Sequence, residues 1–383
     1  MLDDSFPTMG TIARVVRDAD GDVDAASVFA EVDRRLSRFD SGSDLSRLNA
    51  DPRECVPAGP LLRAAVGAAL DAAQMSDGLV DPTVLGAVLR AGYRESRAHS
   101  PAPSLLRALD SAPQRRPGRP DPAARWRSVE VDDAAGVIRR PPGLQLDLSG
   151  SVKGWVADLL ATRLERHGRC AVDCGGDVRV GGSRGTPWEV RVRHPLTGDV
   201  AHTIHLRAGG VATSGIDARL WARPGCHFAH HLIDPSTGTP AWTGLIAVTA
   251  VAPTALEAEA LAKAALLSGP VAGGRLLRAH HGGVLVHDDG GVDPVGRRRL
   301  RLRRSRRIGP TDPSLHGLDE VTAERVQTDD AVHRPHPNRS LDAVDLIEPR
   351  GKLTPLLRQH RLPLRGASAP TGAKVRAMGG GAG

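Results

Sequence analysis

Asp147, Ser149, Gly150, Ser151 and Lys153 fall within seven consecutive positions of LQLDLSGSVKGWVADLLAT, residues 144–162. A carboxylate, a small-residue turn and a lysine so close together suit an anionic ligand, provided the backbone holds them on the right course. Leu144 and Leu146 alternate with Gln145 and Asp147 as in a short strand, and residues 149–151 let the chain turn. Val152, Val156, Leu159 and Leu160 then recur at helical spacing. A helix starting there presents backbone N–H groups and the positive end of its dipole, and Lys153 on its first turn adds a mobile charge. An ordinary strand-to-helix junction with a solvated lysine fits the same pattern, so the assignment needs support from other segments.

Five segments supply it: MGT (9–11), DPTV (81–84), DCGGD (173–177), VATSG (211–215) and HHLIDPSTGTP (230–240). Gly175 and Gly176 permit close approach of backbone to a ligand, and Thr213, Ser214 and Gly215 add hydroxyl and amide donors. The His231 imidazole can move a proton near neutral pH, while Asp234 and Thr237 shape a turn with Pro235 and Gly238. In AEALAKA (258–264), Glu259 and Lys263 stand four apart and share one helix face.

The surrounding pattern predicts a strand at residues 11–16 and an amphipathic helix over 25–36, with Val28, Val32 and Leu36 on one face. RFDSGSDLSRLNA (38–50) is a polar loop with an Asp/Ser-rich helix start, followed by an alanine-rich helix at 60–76. Residues 97–128 are rich in Pro, Ala and Arg without a clean period, which predicts a flexible insertion with a short helix at 103–109. Short strands punctuated by Gly and Pro dominate residues 129–252, helices are expected at 152–167 and 254–268, and GGVLVHDDG (282–290) adds a late strand. Strands in runs with helices packed against them make an α+β fold of mixed or antiparallel strands.

The net charge of +7 is unevenly placed. From Arg297 onward there are 18 Lys or Arg against 9 Asp or Glu, whereas residues 1–296 hold 33 against 35. One domain over 1–296 with a disordered basic tail over 297–383 follows, and no nucleic-acid surface is expected on the body. Cys55, Cys170, Cys174 and Cys226 form no paired zinc spacing. Without a signal-like amino terminus or a spanning apolar stretch, the chain is expected to be soluble and cytoplasmic.

In order and spacing, these motifs resemble the ApbE family, the FAD:protein FMN transferases, over roughly residues 6–290. The resemblance extends to RFDSGSDLSRLN, where the family carries an aromatic, then Asp and Ser, and ends in Ser-Arg-x-Asn. It implies transfer of FMN from FAD to a Thr or Ser hydroxyl of a partner protein, with AMP released. The FAD pyrophosphate carries about two negative charges, so donors and a cation must converge on it before a hydroxyl can attack. A noncatalytic FAD-binding protein and an FAD pyrophosphatase are the alternatives.

The resemblance also implies residue roles. Met9 and Phe39 would lie along the FAD cleft, and Ala91, Gly92 and Tyr93 fall where relatives carry an aromatic-Gly-Phe segment, with Tyr93 a candidate to stack on a ring. Asp147 would contact FAD, with Lys153, Lys263 and the backbone amides near Gly175 and Gly176 on the phosphates. His231, matching the histidine of H-x-x-D-P-x-T-G, would activate the acceptor hydroxyl or bind the flavin edge, a nearby carboxylate being the other candidate to assist the hydroxyl. Relatives bind magnesium through a carbonyl, here near Gly150, and through the Asp and Thr of A-D-A-L-A-T-A. Glu259 and Lys263 replace those two ligands, and a protonated lysine has no lone pair to donate. Either the Lys263 ammonium, held by Glu259, takes the cation's place, or Lys263 swings aside and Glu259 holds magnesium with water and phosphate oxygens.

Overall fold

The apolar runs of the chain build one eight-stranded sheet that is antiparallel at every pairing and whose spatial order follows chain order. Its strands are β1 (Leu2–Thr8), β2 (Thr11–Arg17), β3 (Cys170–Cys174), β4 (Asp177–Gly181), β5 (Gly209–Gly215), β6 (Leu245–Ala252), β7 (Gly283–His287) and β8 (Val292–Val295). Strands β3, β4 and β6 are buried along their whole length. A sheet covered on both faces selects continuous apolar runs such as LIAVTAVA rather than alternation. The computed structural model describes residues 1–19, 23–97, 103–182, 185–225, 227–296 and 344–347, within a unit bounded by Met1 and Pro349.

Seven helices lie among these residues: α1 (Ala25–Leu36), α2 (Asp44–Ala50), α3 (Pro60–Met75), α4 (Leu85–Arg90), α5 (Leu105–Asp110), α6 (Val152–Leu164) and α7 (Ala255–Ala279). Helix α6 packs on β3 and β4, α7 packs on β5 and β6, and the two helices touch each other. Gly154 makes that approach feasible, because a Cβ there would lie 2.7 Å from the Ala255 carbonyl. Asp158 of α6 also caps α7, accepting from the Ala255 and Leu256 N–H groups at 2.8 and 2.9 Å, with Arg179 Nε at 3.2 Å. Burial pushes the Asp158 carboxyl up to about 6 against the pull of Arg179 and those amides.

Residues 144–147 do not form the expected strand. Asn49 instead takes the part of a neighbouring strand: its Nδ2 donates to the Leu146 carbonyl at 2.8 Å and its Oδ1 accepts from Leu146 N at 2.7 Å. Asp147 N donates to the Pro82 carbonyl at 2.8 Å, fixing the approach to α6.

The flexible insertion expected over 97–128 is corrected for residues 103–128. Beyond α5 the segment is held by backbone bonds, from Arg116 N to the Trp242 carbonyl at 2.9 Å and from Gly118 N to the Leu267 carbonyl at 2.7 Å. Arg119 N reaches Asp234 Oδ1 at 3.0 Å. A segment held through its backbone has no need of an apolar face, hence no period. Residues 98–102 lie outside the described residues. So does the tail assigned as disordered, except Val344–Ile347, which pairs antiparallel with Trp188–Arg193 and corrects that expectation for those four residues. No described helix is long and apolar enough to cross a membrane.

Candidate active site

Two cavities share Asp147 and Ser149 as a common wall. The larger is a cleft of about 460 Å³ lined by Met9, Arg38, Phe39, Tyr93, Lys153 and Arg219, among others. The smaller is a chamber of about 80 Å³ whose polar lining includes Asp81, Gly150, Ser151, His231 and Lys263. An apolar cleft with a few convergent polar groups has the form of a small-molecule site.

The cleft wall begins at the β1–β2 turn, where Met9 adopts a positive φ of 45° and its N–H donates to Asp33 Oδ2 at 2.9 Å. Phe39 and Tyr93 lie 5.5 Å apart between centroids, and Trp221 backs Tyr93 at 5.3 Å. Of the AGY segment only Tyr93 lines the cleft. The Ala91 carbonyl instead accepts from Trp221 Nε1 at 3.0 Å, and Gly92 supplies the turn with φ of 101°. Asp147 is buried, with Oδ1 accepting from Ser149 N at 2.9 Å and Oδ2 3.4 Å from Arg38 Nε.

Lys153 is not the mobile charge its place on α6 implied. Its ammonium is hydrogen-bonded to Asp177 of β4 and stands 3.3 Å from Glu259 Oε1 of α7. Lys263 Nζ meets the same Glu259 oxygen at 2.8 Å, and Gly154 N donates to Oε2 at 3.0 Å. A protein carboxylate therefore caps the first turn of α6, where a ligand anion was expected. Burial alone would raise the Glu259 carboxyl, but Lys153 and Lys263 hold it down to about 2. Burial and the neighbouring Glu259 charge push Asp177 up, opposed by Lys153. Burial opposes the Lys153 charge, yet Asp177 and Glu259 outweigh it and raise that group above the ordinary lysine value.

This donor set does not fit a divalent cation. Both Glu259 oxygens already accept, and two ammonium groups surround one of them. A dication about 4 Å from one ammonium is repelled by about 8 kcal/mol at an effective dielectric of about 20. Among the described residues, no group of three or more His, Cys, Asp or Glu side chains is placed to hold a metal ion. Gly150 does face this region, since a Cβ there would lie 3.8 Å from Lys263 Cε.

Gly175 and Gly176 form the β3–β4 turn with φ of 62° and 91° and line neither cavity. Their amides are already committed, Gly175 N to the Ile12 carbonyl at 3.2 Å and Gly176 N to Asp173 Oδ1 at 2.9 Å. The expected phosphate cradle is therefore a structural turn, with a Gly175 Cβ falling 2.5 Å from Thr11 Oγ1. Thr213, Ser214 and Gly215 lie within β5 and also line neither cavity; the Thr213 hydroxyl bonds that of Thr249 at 2.7 Å.

His231 does line the chamber, and its Nδ1 is buried without a partner. Burial first, then the neighbouring Arg219 and Lys263 charges, push it well below the ordinary histidine value, so the ring is held uncharged. His230 packs edge-on to Trp242 at 4.8 Å, and burial takes it down to about 3. Three polar residues of this region escaped sequence reasoning although each stands in a noted motif: Arg38 of RFDSG, Asp81 of DPTV and Asp177 of DCGGD. Asp81 Oδ1 accepts from the Thr83 amide and hydroxyl at 2.7 and 2.6 Å, while its Oδ2 is buried and unpartnered. A charged residue beside Gly, Pro or an aromatic in a short motif was the available signal.

The sequence model of the ApbE family matches residues 9–286. The chain belongs to the ApbE family. Among characterised ApbE relatives, the FAD:protein FMN transferase of Haemophilus influenzae is 27% identical over 291 residues, covering 69% of this chain and 80% of that protein. The FAD:protein FMN transferase of Klebsiella pneumoniae is 30% identical over 281 residues, 69% of this chain and 77% of its own length. The crystal structure of the ApbE protein of Thermotoga maritima superposes with a TM-score of 0.61 at 26% identity, covering 77% of this chain and 96% of that one.

Proposed function

We propose that this ApbE-family enzyme transfers FMN from FAD to a Ser or Thr hydroxyl of a partner protein and releases AMP. The observation that carries this function is the shared Asp147–Ser149 wall, which sets an aromatic cleft suited to a flavin beside a chamber holding an ammonium and a neutral histidine. The names of the relatives above support the same activity.

In the transfer, the acceptor oxygen forms a bond to the FMN phosphorus, and the bond from that phosphorus to the bridging oxygen breaks. The electron pair leaves on AMP, and the hydroxyl proton passes to a ring nitrogen of His231. Lys263 sits in the chamber with 12% of its side chain exposed, and its ammonium, anchored on one side by Glu259, has donors left for the phosphates. Its hold on Glu259 supports an ammonium in place of magnesium. Positioning and charge neutralisation supply most of the acceleration in such a reaction.

The test is incubation of the protein with FAD and a candidate acceptor protein. Covalent flavin fluorescence on a denaturing gel should appear together with free AMP. Tight FAD binding without either product would reduce the protein to a flavin binder, and FMN with AMP released regardless of acceptor would make it a pyrophosphatase.

A further inference from the structure

Arg38 is a cation of the cleft wall held by both aromatic rings and a carboxylate. Its guanidinium lies 4.1 Å from the Phe39 centroid and 4.5 Å from that of Tyr93. Its Nη1 donates to the Tyr93 carbonyl at 3.0 Å, and its Nε stands 3.4 Å from Asp147 Oδ2. The Arg38 and Asp147 side chains are only 6% and 7% exposed. Yet Arg38 Nη2 is buried with no partner. An unpaired buried donor is costly, and both residues line the cleft, so this donor is set for a ligand acceptor.

We propose that Arg38 and Asp147 together read the imide edge of a flavin ring, Arg38 Nη2 donating to a ring carbonyl and Asp147 accepting from the ring N3–H. The assignment rests on a flavin occupying the cleft. A carbonyl is preferred to a phosphate because Arg38 and Asp147 are paired and sum to zero charge. An incoming phosphate would meet the Asp147 carboxylate as well as the guanidinium, whereas a neutral carbonyl meets no such repulsion. An ionised carboxylate offers about four lone-pair directions, and Ser149 N and Arg38 leave some of them for a further donor. A donor beside an acceptor matches the adjacent C=O and N–H of the imide. Stacking on two rings keeps the guanidinium from swinging away.

The experiment titrates the full-length protein with FAD, N3-methyl FAD, riboflavin and ADP. N3-methylation should weaken FAD binding by about 10- to 100-fold, the range for one hydrogen bond to a charged group. Arg38→Met should weaken FAD and riboflavin by a similar factor and leave ADP unchanged. Equal affinity for FAD and N3-methyl FAD overturns the proposal. So does an Arg38→Met loss confined to FAD and ADP, which would place a phosphate on Arg38. If Arg38→Met fails to fold by circular dichroism, the N3-methyl comparison on the native protein decides alone. Failure of the native protein to bind any flavin would sink the flavin-transfer assignment itself, a result distinct from flavin binding that ignores N3.

Discussion

Lys263 Nζ stands 2.8 Å from Glu259 Oε1, one turn away on the same helix, and Lys153 Nζ approaches that oxygen to 3.3 Å from a different helix. With Asp177 bound to Lys153, two ammonium groups meet two buried carboxylates in one paired cluster at the edge of the chamber. Such a cluster is costly to desolvate and depends on every member being paired.

The first consequence is metal independence. Transfer activity, or FAD affinity where no acceptor is at hand, should keep more than about half its value in excess EDTA. Lys263→Met should lower turnover by about two orders of magnitude, the scale of losing one charge-stabilising group. Lys263→Thr combined with Glu259→Asp should make activity depend on added magnesium. Silencing of the natural protein by chelation, with rescue by magnesium, would mean that Lys263 does not serve as the cation.

His231→Asn should separate binding from chemistry. The role rests on position, a ring nitrogen without a protein partner in the chamber wall, so turnover should fall by about 10²- to 10⁴-fold. FAD affinity should stay within about threefold. A parallel collapse of FAD affinity would reassign His231 to flavin binding.

His230 predicts a pH effect on stability. The unfolded chain takes up this proton near pH 6.5, while burial delays uptake in the folded chain to about 3. Below pH 6.5 the unfolded state therefore binds more protons, and stability falls as pH drops toward 3, by up to about 1.4 kcal/mol per pH unit from this group. Replacing His230 by Phe should flatten the acid side of the curve by roughly one proton. Urea midpoints measured at pH 4, 5, 6 and 7 would reveal it, and an unchanged slope would show that His230 is not held neutral.

Removal of residues 297–383 tests whether the body suffices for flavin binding. Every residue lining the two cavities precedes Arg297, so FAD affinity should change by less than about threefold. The truncated protein should be less stable, because Trp188–Arg193 loses its pairing with Val344–Ile347. A tenfold loss of affinity would make the tail part of the site.

Local periodicity determined the helices well: residues 25–36 match α1, and the apolar recurrence from Val152 onward matches α6. Helical spacing is a short-range property, so it is written in neighbouring residues. The same holds for Glu259 and Lys263, whose shared face follows from being four apart. The large polar motifs likewise marked where the cavities would be, through Met9, Phe39, Asp147 and His231.

Tertiary structure alone decided which of those groups remain free for a ligand. Gly175 and Gly176 have the conformational freedom expected of a phosphate turn, but Ile12 and Asp173 already take their amides. Lys153 meets Glu259 across 106 positions of sequence, and Asn49 clips Leu146 across 97. Pairings so distant depend on how α6, α7 and the sheet pack, and packing is a property of many side chains at once rather than of a motif. Composition and spacing could supply the charges; only the folded backbone could show that Lys153 joins Lys263 on Glu259 while Arg38 keeps a donor without a partner.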